Sequence, residues 1–277
     1  MPAINLIQLR SSLNDLLWNF TDPDAFRESL MDLLDHYAYT AYRTDLDTRT
    51  TSSRPEIQIS QILLRELDLA LLPVIHEQPR SALAICDKLW NDENMEICLI
   101  SSHILGEIPI EHSDLVLDRV SEWALHRLHN MTIRTLLKNA TTTIMRTDPE
   151  ILLRRVRKWY VDPQVEKNNL CLEGMAVLVD DRNFENLPAI FTLLDALLDE
   201  ATVQNQQSLY SLFHTLLQRS PQEMLYILRK QLQGEPNITV QRIARKLIPE
   251  LPEASRESIK TALREASRKN KAEKEKE

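Results

Sequence analysis

Apolar residues recur at helical spacing along almost the whole chain. Leu13, Leu16, Leu17 and Phe20 form one stripe; Phe26, Leu30, Leu33, Leu34 and Tyr37 form the next. Between them, Thr21-Asp22-Pro23 sets a polar cap before a proline, which is tolerated in a first helical turn because its missing N–H has no partner there anyway. From Thr44 to Arg54 the only apolar residue is Leu46. That polar run predicts a loop over 43–55 between N-terminal helices at 3–42 and whatever begins near 56.

From residue 79 onward, helix starts return at a fixed interval. Pro79, Ser113, Pro149, Asn183 and Pro221 each open an apolar-periodic stretch, at steps of 34, 36, 34 and 38 residues. A second series starts at Asn94, Asn130, Lys167, Gln204 and Asn237, at steps of 36, 37, 37 and 33. The unit is thus a helix, a short turn and a second helix. Asp148 and Ser220 precede prolines as N-caps, and Ser220-Pro221-Gln222-Glu223 has the form of a capping box. One such pair cannot bury its apolar stripe alone and must stack on its neighbours. The expected fold is all-α, an α-α superhelix of stacked antiparallel helix pairs of the HEAT or armadillo type. It fills a single domain over 1–251, with a capping helix and charged tail over 252–277. The alternative is an irregular helical bundle.

Composition narrows the chemistry. The 277 residues include only three glycines, Gly106, Gly174 and Gly234, none near another. A phosphate-cradling loop needs several glycines close together, so P-loop and Rossmann nucleotide sites are excluded and no nucleotide cofactor is expected. Cys86, Cys98 and Cys171 form no C-x-x-C pair and sit in apolar helical patterns, which reads as buried reduced thiols. Arg10 and Asp15 interrupt the first apolar residues, unlike a signal peptide, and no run reaches the ~20 apolar residues of a membrane helix. The expectation is a cytoplasmic protein with no membrane contact.

Several segments carry a family resemblance. Ala82-Leu83-Ala84-Ile85-Cys86, then Leu89-Trp90-Asn91-Asp92, Ile97 and Leu105-Gly106, are similar to a HEAT repeat. Thr147-Asp148-Pro149-Glu150 leading to Lys158-Trp159, Asn169-Leu170 to Ala176-Val177-Leu178, and Phe213-His214-Thr215-Leu216-Leu217 before Arg219-Ser220-Pro221-Gln222-Glu223 extend the match over roughly 80–250. Together they resemble the HEAT-like DNA alkylation repair proteins, the AlkD-type glycosylases. That resemblance implies an all-helical solenoid gripping DNA on a concave basic face while excising N3- and N7-alkylated purines. The family uses a Trp and, four residues later, an Asp to stabilise a developing cationic sugar. Aligned without gaps, those positions fall here at Asn130 and Arg134. A cation at that place opposes the reaction. The family's Arg falls near Gly174, and its second Trp near Ser211 or Leu212. The resemblance therefore implies the fold without the chemistry.

Other chemistry is thinly supported. Glu122, His126 and His129 share a helix face and resemble three zinc ligands, but neither an H-E-x-x-H motif nor a fourth ligand accompanies them, so no metal is expected. Asp180-Asp181 and Asp195/Asp199 are paired carboxylates of the kind acid–base catalysis uses, and are equally common on solvated helices. Trp18, Trp90, Trp123 and Trp159 read as core or inter-repeat packing rather than platforms for bases.

Charge is more informative. The chain carries −8 overall, yet 127–160 carries +6, 161–200 carries −7 and 219–248 carries +4. Arg154-Arg155-Val156-Arg157-Lys158-Trp159-Tyr160 is the densest basic cluster. Arg127, Arg134, Lys138, Arg154, Arg157 and Lys158 are the candidate anion contacts, suited to releasing counterions from phosphate. The expectation is a non-enzymatic scaffold binding a protein or nucleic acid, duplex DNA included, on its concave face. A DNA glycosylase acting on alkylated purines is the alternative.

Overall fold

A computed structural model describes residues 5–41, 60–126, 133–162, 165–233 and 237–274. The expected loop over 43–55 lies outside them, as do Arg127, Asn130 and Gly234. Among the described residues the fold is all-α, with no strand. The chain divides into two compact units, 1–151 and 152–277.

The first unit holds α1 (Leu6–Trp18), α2 (Pro23–Ala41), α3 (Gln61–Glu77), α4 (Pro79–Trp90), α5 (Met95–Gly106), α6 (Ser113–His126), α7 (Ile133–Ala140) and α8 (Thr142–Thr147). Helix α9 (Pro149–Tyr160) carries the division between the units. The second unit continues with α10 (Val165–Asp180), α11 (Leu187–Asp199), α12 (Gln206–Arg219), α13 (Pro221–Gln233), α14 (Ile238–Leu247) and α15 (Glu253–Lys274). The two sequence series are recognisable as helix starts. Pro79, Ser113, Pro149 and Pro221 begin helices, while Asn94 and Asn237 cap α5 and α14 by accepting the N–H of Glu96 (2.9 Å) and Thr239 (2.8 Å).

Each unit packs helices on their second neighbours as well as their first. In the first unit α1, α3, α5 and α7 touch in succession, and α2 lies on α4. In the second, α10, α12 and α14 form one row, and α11, α13 and α15 the other. Several helices bury one stripe, Leu9, Leu13 and Leu16 on α1, Ala82, Ile85, Cys86 and Leu89 on α4, Leu209, Leu212, Phe213 and Leu216 on α12, while α5 and α10 are buried on most faces. The C-terminal helix α15 joins its row through Ile259, Leu263 and Ala266.

Two glycines mark where neighbours approach closest. A Cβ on Gly106 would lie 2.0 Å from the carbonyl oxygen of Asn139, so α5 and α7 can meet only there without a side chain. At Gly174 a Cβ would lie 2.6 Å from a Val156 methyl and 3.2 Å from the Trp159 ring, which fixes α10 against α9.

Three local features depart from the sequence pattern. Helix α11 begins at Leu187, not Asn183, because Asp181 accepts the Asn183 N–H in a turn and Phe184 plugs the core. The Arg219 guanidinium holds that turn from α12 by donating to the carbonyls of Val179 (2.7 Å), Asp181 (2.8 Å) and Phe184 (2.7 Å), which satisfies the end of α10. Between α7 and α8 the chain breaks where the Thr141 and Thr142 hydroxyls bond back to the carbonyls of Leu137 and Asn139, both at 2.7 Å. The capping box closes differently from the motif, with the Ser220 hydroxyl donating to the Glu223 carboxylate at 2.6 Å.

Candidate functional site

The basic candidates fall on two helices. Arg134 and Lys138 are one turn apart on α7, so they share a face; Lys138 is exposed and Arg134 half-buried, while Leu136, Leu137 and Ala140 point into the first unit. Arg154, Arg157 and Lys158 are exposed along one side of α9, opposite buried Leu152, Leu153, Val156 and Trp159. Helix α7 is the second helix of its pair and α9 the first of the next. Arg127 lies outside the described residues. Lys138, Arg157 and Lys158 sit in the last turns of their helices, where cations also favour the helix dipole.

Three tryptophans are structural. Trp90 of α4 and Trp123 of α6 stack with ring centroids 4.4 Å apart and planes at 6°, and both are buried. Arg119 of α6 fixes them by a two-pronged bond to Asp87 of α4, at 2.8 and 2.7 Å. Above the stack is a polar hollow of 610 Å³ edged by Asp87, Asn91, Asp118 and Glu122. Trp159 is buried against Gly174. Trp18 departs from the core expectation: it ends α1 at 86% exposure.

The carboxylates singled out in the sequence have internal partners. Asp148 accepts the Glu150 N–H at 3.1 Å, as its cap position requires. Asp195 takes the Lys230 ammonium at 2.5 Å, and Gln231 bridges Asp195 and Asp199 at 3.3 Å each. Asp180 accepts from the Thr215 hydroxyl at 3.5 Å. The side chains of His126 and His129 lie outside the described set, and among the described residues no group of three potential ligands forms a metal site. All three cysteines are buried. Burial pushes the Cys171 thiol up to about 12 and the Cys86 thiol higher still, so neither is a nucleophile.

Two polar clusters were not visible in the sequence. On the first unit, burial pushes the Asp68 carboxyl of α3 up; His103 of α5 opposes the shift and Glu107 adds to it. On the second, Glu250 gathers a chain of side chains. The Tyr210 hydroxyl donates to one carboxylate oxygen at 2.6 Å, and His214 Nδ1 meets the other at 2.5 Å. His214 Nε2 then lies 3.0 Å from the Gln218 amide nitrogen, and the Lys246 ammonium sits 5.7 Å from the Tyr210 ring centre. The Tyr210 bond is the main reason the Glu250 carboxyl is held below its ordinary range.

No helix among the described residues is long and apolar enough to cross a membrane. No family model matches the chain, and neither a curated protein nor a solved structure matches it.

Proposed function

We propose that the chain is a non-enzymatic, HEAT-like helical-repeat scaffold that holds a macromolecule, nucleic acid or protein. One observation carries this reading. Helices α7 and α9 bury Leu136, Leu137 and Ala140, and Leu152, Leu153, Val156 and Trp159, and turn Lys138, Arg154, Arg157 and Lys158 to solvent. Such faces suit a phosphate backbone or an acidic protein surface, which bind through many shallow contacts rather than a closed pocket.

Arg134→Glu with Lys138→Glu tests it. Titration of labelled duplex DNA at two salt concentrations should show binding roughly tenfold weaker, with the salt slope reduced by about two. If protein is the partner, pull-down from lysate survives nuclease and is lost in the same variant. Neither change in the double variant would remove the basic-face reading. Release of 7-methylguanine or 3-methyladenine from alkylated DNA, lost on substituting one carboxylate, would replace it with the enzymatic alternative.

A further inference from the structure

Helices α11 and α13 lie side by side in the second unit, and the seam between them is open. Its volume is 810 Å³, within the range of pockets that enclose a sizeable ligand. Leu187 and Phe191 of α11 and Ile227 of α13 line it with apolar surface. Tyr226 stands at its edge with 68% of its surface exposed, although the other large side chains of α13, Met224, Leu225, Ile227 and Leu228, are buried. An aromatic ring left in solvent beside an apolar floor is the kind of residue that anchors protein interfaces.

The rim is acidic. Among the described residues that line it Lys230 is the only cation, and Asp195 neutralises it at 2.5 Å. That leaves Glu185 at the entry to α11 and Glu223 in the first turn of α13. The Ser220 hydroxyl keeps the Glu223 carboxyl below its usual range. Of the nine carboxylates in 161–200, Glu185 and Asp195 line the groove. An anionic strand or an acidic helix is repelled here, whereas a positively charged one is drawn in.

We infer that the α11–α13 groove docks a basic amphipathic helix of a partner protein, its apolar face on Leu187, Phe191 and Ile227 and its cations toward Glu185 and Glu223. Anchors at i, i+3/i+4 and i+7 are the spacing such a groove reads. The inference does not depend on the basic faces of α7 and α9, and its test uses none of their residues.

The probe is a fluorescent Leu/Lys amphipathic helix of about 15 residues, titrated by anisotropy against the full chain. Controls are a peptide of the same composition with its Leu and Lys scrambled, and a Leu/Glu counterpart. The expected result is saturable binding of the amphipathic Leu/Lys peptide and of neither control. Tyr226→Ser should weaken it about tenfold. Glu185→Lys with Glu223→Lys should weaken it further and flatten its salt dependence, with Tyr226→Phe restoring most of the affinity lost in the serine variant. Thermal melts of the variants confirm that the fold is kept, Tyr226 and Glu185 being exposed. Equal binding by the scrambled peptide, or an affinity unmoved by Tyr226→Ser, overturns the inference. So does concentration-dependent self-association that disappears in Tyr226→Ser, which assigns the groove to a second copy of the chain.

Discussion

The seams α4–α6 and α11–α13 both join first helices of successive pairs, one in each unit, and they are finished differently. In the first unit two indoles stack across the gap and Arg119 bolts α6 to Asp87 on α4. In the second unit the corresponding ion pair, Lys230 on Asp195, spans the seam, but no stacked pair of rings closes it. Phe191 turns largely inward, and Tyr226 outward. Two buried, stacked rings close the first seam, and the second has no such pair. One seam is built as core and the other is left as surface.

The largest effect should come from emptying the filled seam. Trp90→Ala removes one face of the stack and is expected to cost about 3–5 kcal/mol, measured by denaturant unfolding with alkylation of buried Cys171 as the second unit's reporter. If the loss stays in the first unit, exposure of Cys171 will lag behind the far-ultraviolet circular dichroism. Next is the bolt itself. Arg119→Ala should cost about 1 kcal/mol, since the pair is two-pronged but partly in solvent. A loss as large as that of Trp90→Ala would mean the ion pair, not the stack, closes the seam.

The smallest effects concern pH, and the two units should respond with opposite signs. The folded Asp68 carboxyl lies above its ordinary value. Its contribution is therefore present below that ordinary value and lost as pH rises through the folded one, so Asp68→Asn should raise the melting temperature at pH 7 by roughly 1–2 °C and leave it unchanged near pH 3. Glu250 lies below its ordinary value. Its contribution is present at neutral pH and lost as acid protonates the folded carboxylate, and Tyr210→Phe should make that acid-side loss shallower. Melting curves of both variants between pH 3 and pH 7 check the two signs together.

Most of the fold was legible because its signals are local. Prolines at 79, 149 and 221 and asparagines at 94 and 237 announce helix starts through chemistry within one turn of themselves. The start of α11 was misplaced because its true position depends on Arg219, which arrives from the next helix to hold the preceding turn. The indole stack belongs to the same class: Trp90 and Trp123 each read as core, but nothing nearby in sequence says that they meet. Trp18 shows the limit from the other side, since an aromatic ring reads as core, yet it lies off the buried Leu9, Leu13 and Leu16 stripe of α1 and stands in water. The candidate surfaces were half legible. The cationic faces of α7 and α9 follow from helical spacing alone. The groove at α11 and α13, the Asp68 cluster and the Glu250 chain are assembled from side chains on different helices, which periodicity cannot pair.

The buried thiols give each half of the molecule its own clock. Cys171 is enclosed in the second unit and Cys86 in the first, and neither can meet a reagent while its helices stay shut. Timed alkylation followed by peptide mapping would therefore record, in a single unlabelled sample, how often each half breathes open and whether the two do so in step.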